Sequence, residues 1–369
     1  MKKKILVTSI HPGGINAIIP VIKKINQSNL LETIVLGHSC INIFEKNRID
    51  FLPLQNYDYK IIEKMIKKEN PYLILSGANR AIEKDGKESL DYLVTKLAKN
   101  MGVLCLSVLD FWENYVKRWG VIPEYFPDKI AVLDNTAKEN MIKENFPKEI
   151  IEITGNPFFD DLFILKEKYQ NKIKELRYKL NISVDKQIIM YATDIDDRMK
   201  DDGWGFNNID CIEAICEGIV SAKKSSETEI ILKKHPRETE ENFSKLSKII
   251  SKYNLNSKRD ENDIKLVCLA SDLIVAPVST ILFEASLMNK DTISLQLGDT
   301  KGYKFIPSEI GLVPYANNKK EGTQLIKNVL IDKNFLKPYR EKRKNLKVDG
   351  KATERVVNLI YKMIGVKKT

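Results

Sequence analysis

Lys4-Ile5-Leu6-Val7-Thr8-Ser9-Ile10-His11-Pro12-Gly13-Gly14-Ile15 decides the fold. An apolar run of strand length, Lys4 to Ser9, enters a short loop holding a proline and two glycines. From Ile15 the residues Ile18, Ile19, Ile22 and Ile25 recur at helical spacing, so a strand passes straight into a helix. Pro20 falls within the first turn or two of that helix, where a missing N–H costs least. A strand feeding a helix in this way is the opening unit of a parallel sheet with crossover helices.

The alternation continues outward. Strands are expected at Glu32–Leu36, Tyr72–Leu75, Val103–Val108 and Lys129–Leu133, with amphipathic helices at Tyr59–Lys68 and Ser89–Asn100. A polar, lysine-rich helix from Leu162 to Leu180 reads as a connector. A second series follows, with strands at Gln187–Tyr191, Glu229–Leu232, Ile264–Cys268, Leu273–Ala276 and Thr292–Leu295. Its helices are Ile209–Lys223 and Thr280–Met288, and an amphipathic tail from Gly350 to Ile364 closes the fold. A chain of 369 residues exceeds what one core organises. The expected division is an N-terminal α/β acceptor domain over 1–160, a linker helix over 161–182, a C-terminal α/β donor domain over 183–345 and a closing helix over 346–369.

Composition narrows the class. The chain is 43% hydrophobic and 30% charged, a globular balance without low-complexity tracts or solenoid repeats. No stretch approaches the roughly 18 apolar residues of a membrane span. The apolar run after Met1-Lys2-Lys3 is too short for a signal peptide, so a cytoplasmic setting is expected. Cys40, Cys105, Cys211, Cys216 and Cys268 are scattered without metal-ligand spacing. They read as buried thiols of a reducing compartment, and no metal or other cofactor is expected. The net charge of +10, mostly lysine, is spread along the chain. It is either a solvated surface or an attraction for anions, such as a nucleotide, a phosphorylated acceptor or the anionic inner face of a membrane. Nucleic acid is disfavoured, because the basic residues are not interleaved with aromatics in a recognisable motif.

In open parallel sheets ligands bind beyond the carboxyl ends of the strands, so the residues after each strand carry the functional information. His11, Gly13 and Gly14 form a turn whose amides can face an anion or a sugar hydroxyl. Asp110 follows a strand beside Phe111 and Trp112; it is either a helix cap or, among apolar neighbours, a general base with Trp112 against a sugar ring. Lys233-Lys234-His235-Pro236-Arg237 is a compact cationic corner suited to phosphate, with Lys234, His235 and Arg237 as its contacts. Ser279 or Thr280 caps a helix whose amides suit a phosphate, and Glu284 lies one turn on, where its carboxylate can accept ribose hydroxyls. Thr193-Asp194-Ile195-Asp196-Asp197 and Asp201-Asp202-Gly203 make an acidic stretch without EF-hand spacing.

These patches resemble the GT-B nucleotide-sugar glycosyltransferases and their relative, the non-hydrolysing UDP-N-acetylglucosamine 2-epimerase. Thr154-Gly155-Asn156-Pro157-Phe158-Phe159-Asp160 is similar to the T-G-N-P-x-x-D of that superfamily, and His235-Pro236 to its H-P. Ser279-Thr280 with Glu284-Ala285 resembles its nucleotide-binding turn and helix, and Asp349-Gly350-Lys351-Ala352 its D-G-K-A. Asp201-Asp202-Gly203, His235-Pro236 and Ser279-Thr280 also occur in the order of the bacterial sialyltransferase motifs, which implies Asp202 as a base and CMP at the other two. CDP-glycerol glycerophosphotransferases share a similar corner, so UDP-, CMP- and CDP-linked donors all stay open. The epimerase H-x-E-A-G segment is missing where Leu109-Asp110-Phe111-Trp112 stands. The resemblance therefore implies two Rossmann-like domains with parallel sheets facing a central cleft. It implies metal-independent glycosyl transfer from a nucleotide-sugar to a hydroxyl acceptor in cell-surface polysaccharide or glycolipid synthesis. Epimerisation, or a catalytically idle sugar-nucleotide binder, is the alternative.

Overall fold

The computed structural model describes residues 2–83, 85–196, 199, 203–299 and 305–366. The chain forms two compact units, Met1–Asp161 with Leu346–Thr369, and Leu162–Asn345.

In the first unit seven parallel strands, β1 (Lys3–Thr8), β2 (Leu31–Gly37), β3 (Leu52–Pro53), β4 (Leu73–Gly77), β5 (Leu104–Val108), β6 (Lys129–Val132) and β7 (Ile151–Ile153), lie in the order β3-β2-β1-β4-β5-β6-β7. Ile5 pairs with Thr33 of β2 on one side and Leu73 of β4 on the other. Side chains alternate across a strand, and both faces are covered. Ile5 and Val7 pack with Ile15, Ile18 and Ile22 of the helix Pro12–Ser28, while Leu6 packs with Ile62, Leu93 and Leu97 from the helices Tyr59–Glu69 and Leu90–Met101. The helix Ala352–Met363, from the far end of the chain, adds Val356, Val357 and Ile360 to the first of these layers. The first helix starts at Pro12 rather than near Ile15, because proline at the first helical position has its φ preset and its missing N–H lacks a partner there anyway. Pro20 consequently lies inside the helix and not in its opening turns.

The second unit repeats the plan with β8 (Gln187–Ala192), β9 (Thr228–Lys233), β10 (Asn256–Arg259), β11 (Leu273–Ala276), β12 (Asp291–Leu295) and β13 (Tyr315–Ala316). They are parallel and ordered β10-β9-β8-β11-β12-β13. The strand expected at Ile264–Cys268 is a helix, Ile264–Ala270. Its start is capped by Asp263, which accepts from the Lys265 and Leu266 amides (2.9 and 3.3 Å). A short apolar run carries no decisive period, so the cap settles the matter. The strand next to it, β10, reads Asn-Ser-Lys-Arg and lies at an edge, which hides it from any search for apolar runs. The lysine-rich connector is two helices, Asp160–Tyr169 and Ile173–Lys179, rather than one. Arg177 ties the second of them to the sheet, donating to the Ala270 carbonyl and the Asp272 carboxylate (both 2.7 Å).

In each unit the strand order reverses once, between β1 and β4 and between β8 and β11. Those two switch points are where an open parallel sheet leaves a crevice for ligands.

Candidate functional site

At the first switch point the ends of β1 and β4 are held from beneath by one carboxyl group. Thr8 donates to Asp91 Oδ1 (2.9 Å), and the Asn79 amide donates to the other Asp91 oxygen and to Ser9 Oγ (3.4 Å). Asp91 is 3% exposed, and burial pushes its carboxyl up to about 8. A Cβ on Gly77 would collide with Ser9 and meet the Gly14 backbone at 3.2 Å, so β4 and the first helix approach backbone to backbone. A Cβ on Gly13 would strike the carboxylate of Asp110. The expected glycines therefore serve close packing around the crevice.

Asp110 was expected either as the cap of the next helix or as a general base among apolar neighbours; the cap position of the helix Tyr115–Trp119 is held by Asn114. Asp110 Oδ1 instead accepts from Arg118 Nη1 at 2.7 Å. Arg118, largely buried, also donates to the carbonyls of Ala78 and Glu113, so it stitches together the loops after β4 and β5. The short helix Tyr115–Trp119 folds back to deliver it, and only that return brings the two charges together. Trp112 was expected beside a sugar ring. It is 5% exposed, with its indole donating to Asp134 (2.9 Å) and its ring turned into the core. His11 Nε2 lies 3.2 Å from Glu83 Oε1. Around these groups is a cavity of about 650 Å³, lined among others by His11, His38, Tyr57, Asn79, Asp110 and Arg118. Sequence reading missed Arg118, Asp91 and Glu83. The available signals were an arginine set between aromatics in Tyr115-Val116-Lys117-Arg118-Trp119, and an aspartate on the apolar face of a helix.

The T-G-N-P-x-x-D and D-G-K-A segments, far apart in sequence, form one clasp. Asp160 accepts from the Ala352 and Thr353 amides (3.0 and 2.8 Å), capping the last helix. Arg355 returns the contact, donating to the Thr154 carbonyl (2.6 Å) and to both Asp349 oxygens, which holds the Asp349 carboxyl below the usual carboxylate range. Gly155 has φ +80, and a Cβ there would press on the Lys347 carbonyl at 2.7 Å. Asn156 reaches the other way and donates to the Asp110 carbonyl (3.0 Å).

In the second unit Thr193, just after β8, accepts from the His235 amide (2.9 Å), which joins the ends of β8 and β9. His235 Nδ1 accepts from the Arg237 amide (3.1 Å), so the neutral ring carries its proton on Nε2. Buried Glu238 accepts from the Asp196 and Thr239 amides (2.7 and 2.6 Å) and fixes the loop after β8 against this corner. The cations divide. Lys233 is buried and donates to the Asp260 carbonyl (2.9 Å); Lys234 turns to the Glu238 carbonyl (2.9 Å) and Glu240 (3.2 Å). Arg237 is exposed, and among the described residues its guanidinium has no hydrogen bond or ion pair. Ser279, not Thr280, is the cap of the helix Thr280–Leu287, accepting from the Ile281 amide (3.4 Å). Glu284 stands one turn on. Burial pushes its carboxyl up against the opposing Lys265, whose ammonium is 3.6 Å away.

Asp196 accepts from the Asn208 backbone amide and side chain (3.0 and 2.6 Å), so that part of the acidic stretch serves the fold. Asp201 and Asp202 lie outside the described residues. Among the described residues no group of three His, Cys, Asp or Glu is arranged to hold a metal ion, and no helix is long and apolar enough to cross a membrane. Burial pushes the thiols of Cys105 and Cys216 up to about 12, which keeps them protonated and inert.

A family model for CDP-glycerol:poly(glycerophosphate) glycerophosphotransferase matches residues 124–362. No curated protein matches the chain. Among solved structures, UDP-GlcNAc 2-epimerase from Neisseria meningitidis bound to UDP-GlcNAc is similar with a TM-score of 0.67 and 15% identity, over 98% of this chain and 100% of that one. The enzyme of the same name from Methanocaldococcus jannaschii gives 0.66 and 16%, over 98% and 100%. A glycosyltransferase from Rickettsia africae gives 0.57 and 14%, over 99% and 100%. At such identities the likeness to solved structures is one of fold.

Proposed function

The chain belongs to the CDP-glycerol:poly(glycerophosphate) glycerophosphotransferase family, within the GT-B-like nucleotide-sugar superfamily, and on that premise we propose that it transfers a group from a nucleotide-activated donor to a hydroxyl acceptor. The observation that carries the reading is the span of the family match, which takes in the whole second sheet and every residue assigned to the donor. In this reading the donor, UDP-, CMP- or CDP-linked, lies over the ends of β8, β9 and β11. Its phosphates meet His235, Arg237 and the amides at Ser279–Thr280, and Glu284 takes the ribose; Lys234 contributes field rather than contact, since Glu240 already holds it. The acceptor enters the first unit's cavity. Asp110, steadied by Arg118, or else Asp202, takes the proton of its hydroxyl. Fixed cations and helix amides offset the charge that builds on the leaving phosphate, which is chemistry that does not call for a metal. The product would serve cell-surface polysaccharide or glycolipid synthesis at the cytoplasmic side of a membrane.

Two versions of the transfer differ in the bond broken. Glycosyl transfer from a UDP-sugar breaks the anomeric C–O bond and releases UDP. Glycerophosphoryl transfer from CDP-glycerol breaks the pyrophosphate P–O bond and releases CMP. The purified protein incubated separately with CDP-glycerol, UDP-GlcNAc and a CMP-sugar, each with a polyol acceptor, separates them by which donor is consumed: CMP from CDP-glycerol marks phosphoryl transfer, whereas UDP from UDP-GlcNAc or CMP from the CMP-sugar marks glycosyl transfer. A donor at about 100 times its dissociation constant adds about 2.7 kcal/mol to stability, so thermal shift reports binding independently. No shift with any donor would refute the reading. Conversion of UDP-GlcNAc to its 2-epimer without transfer would identify an epimerase, and binding without turnover an idle binder.

A further inference from the structure

We propose that the cavity of the first unit binds a hydroxyl-rich unit free of phosphate, a neutral or amine-bearing glycan end, rather than a phosphodiester. This deepens the acceptor half of the proposed function and rests on that reading for the ligand's role, though not for its chemistry.

The chain as a whole carries +10, yet the described residues lining this cavity include four carboxylates, Glu83, Asp85, Asp110 and Glu113, against two guanidiniums, Arg80 and Arg118. Asp110 is held by Arg118, Asp85 faces Lys87 at 3.3 Å and Glu83 faces His11 at 3.2 Å, so among the described residues Glu113 is the lining carboxylate without a partner. Arg118 is already committed to Asp110 and to two carbonyls. That leaves Arg80 as the one lining guanidinium, among the described residues, without such a commitment. The neutral groups lean the same way. Asn79 is 5% exposed and spends its amide nitrogen on Asp91 and Ser9; among the described residues its Oδ1 receives no hydrogen bond. His38 donates from Nδ1 to the Leu54 carbonyl (2.9 Å), which leaves the Nε2 lone pair of the neutral ring as an acceptor. Glu113 takes no hydrogen bond on its carboxylate among the described residues. The lining therefore offers open acceptors, and its carboxylates outnumber its guanidiniums. A phosphate brings only acceptors and more negative charge, so it meets repulsion and leaves these groups unpaired. Hydroxyl and ammonium groups bring the donors the lining lacks. The Tyr57 ring, edge-on to His38 at 4.9 Å, adds an apolar wall of the kind a sugar ring covers.

The test is ligand-observed NMR titration of the full chain with three probes: N,N′-diacetylchitobiose, chitobiose and glycerol 3-phosphate. The two disaccharides share a skeleton and differ in their free amines, so they separate the neutral source from the aminated one. At least one should bind saturably, and at least about tenfold more tightly than glycerol 3-phosphate. Glu113→Gln should weaken that binding about tenfold, and Glu113→Lys should admit glycerol 3-phosphate. Failure of both disaccharides to bind, equal or tighter binding of glycerol 3-phosphate by the wild type, or an unchanged disaccharide affinity in Glu113→Gln would each overturn the proposal. Donor binding and nucleotide release measured on the same samples keep the outcomes apart. A protein that still uses a donor but prefers the phosphate probe loses only this inference; one that binds disaccharide but no donor loses only the transfer reading.

Discussion

Asp160→Ala tests whether the T-G-N-P-x-x-D segment is a structural clasp or a ligand contact. Asp160 is 7% exposed and gives one oxygen to each of two backbone amides, Ala352 and Thr353, at the start of the last helix. Hydrogen bonds to a charged group contribute about 1.5–3 kcal/mol each, and loss of a helix N-cap alone costs about 0.5–2 kcal/mol. The two bonds share one carboxylate, so their losses do not add in full. Asp160→Ala should then destabilise the first unit by about 2–4 kcal/mol. Asp160→Asn, which keeps one acceptor oxygen, should cost about half as much. Urea unfolding followed through Trp112 and Trp119 reports on the first unit, and amide exchange at Val356, Val357 and Ile360 reports on the helix itself. The control is Asp161→Ala, one residue on and exposed, which should stay within about 0.5 kcal/mol of wild type. If Asp160→Ala behaves like that control, the clasp contributes nothing and the argument from its two hydrogen bonds is wrong. If it abolishes donor binding at unchanged stability, the segment is a ligand contact instead.

The Asp91 carboxyl, raised by burial from the ordinary 3.8 to about 8, holds a proton in the folded state that the unfolded chain releases. Stability should therefore fall as pH rises between about 4 and 8 and level off above; Asp91→Asn should flatten that slope in thermal unfolding at pH 5, 7 and 9, and an unaltered slope would exclude Asp91 as its source. His235→Ala should weaken donor binding about tenfold by calorimetry and slow turnover with it; unchanged affinity would rule out a phosphate contact. Glu284→Gln should weaken a ribose donor roughly ten- to hundredfold but a 2′-deoxyribose donor much less, whereas equal losses would leave Glu284 as a partner of Lys265 alone.

The strand ends that place the proposed donor residues were legible in the sequence. His235 and Ser279 come just after the apolar strands β9 and β11, and Glu284 lies one turn into the helix that Ser279 caps. The edge strand β10 was not, since its four polar residues bury no apolar face to mark them. The helix Ile264–Ala270 was misread as a strand, because a short apolar run fits both periods until its cap is counted. Lys234 looked like one member of a cationic trio, but the sequence does not say that Glu240 on the next helix claims it.

The sequence by itself determined two series of parallel strands with crossover helices, because apolar period, turn residues and proline position act over a few neighbouring residues. Only the tertiary structure decided what the charged groups do. Asp110 meets Arg118 through a short helix that folds back, Trp112 turns inward to Asp134, and Asp91 gathers Thr8 from the end of β1 and Asn79 from the loop after β4. Asp160 caps a helix that begins at Ala352, near the other end of the chain. Each of these depends on a hydrogen bond whose two ends the backbone brings together from separate segments. Such bonds act over about 3 Å and depend on direction, so spacing along the sequence does not reveal them even where the partners are only eight residues apart, as in Asp110 and Arg118.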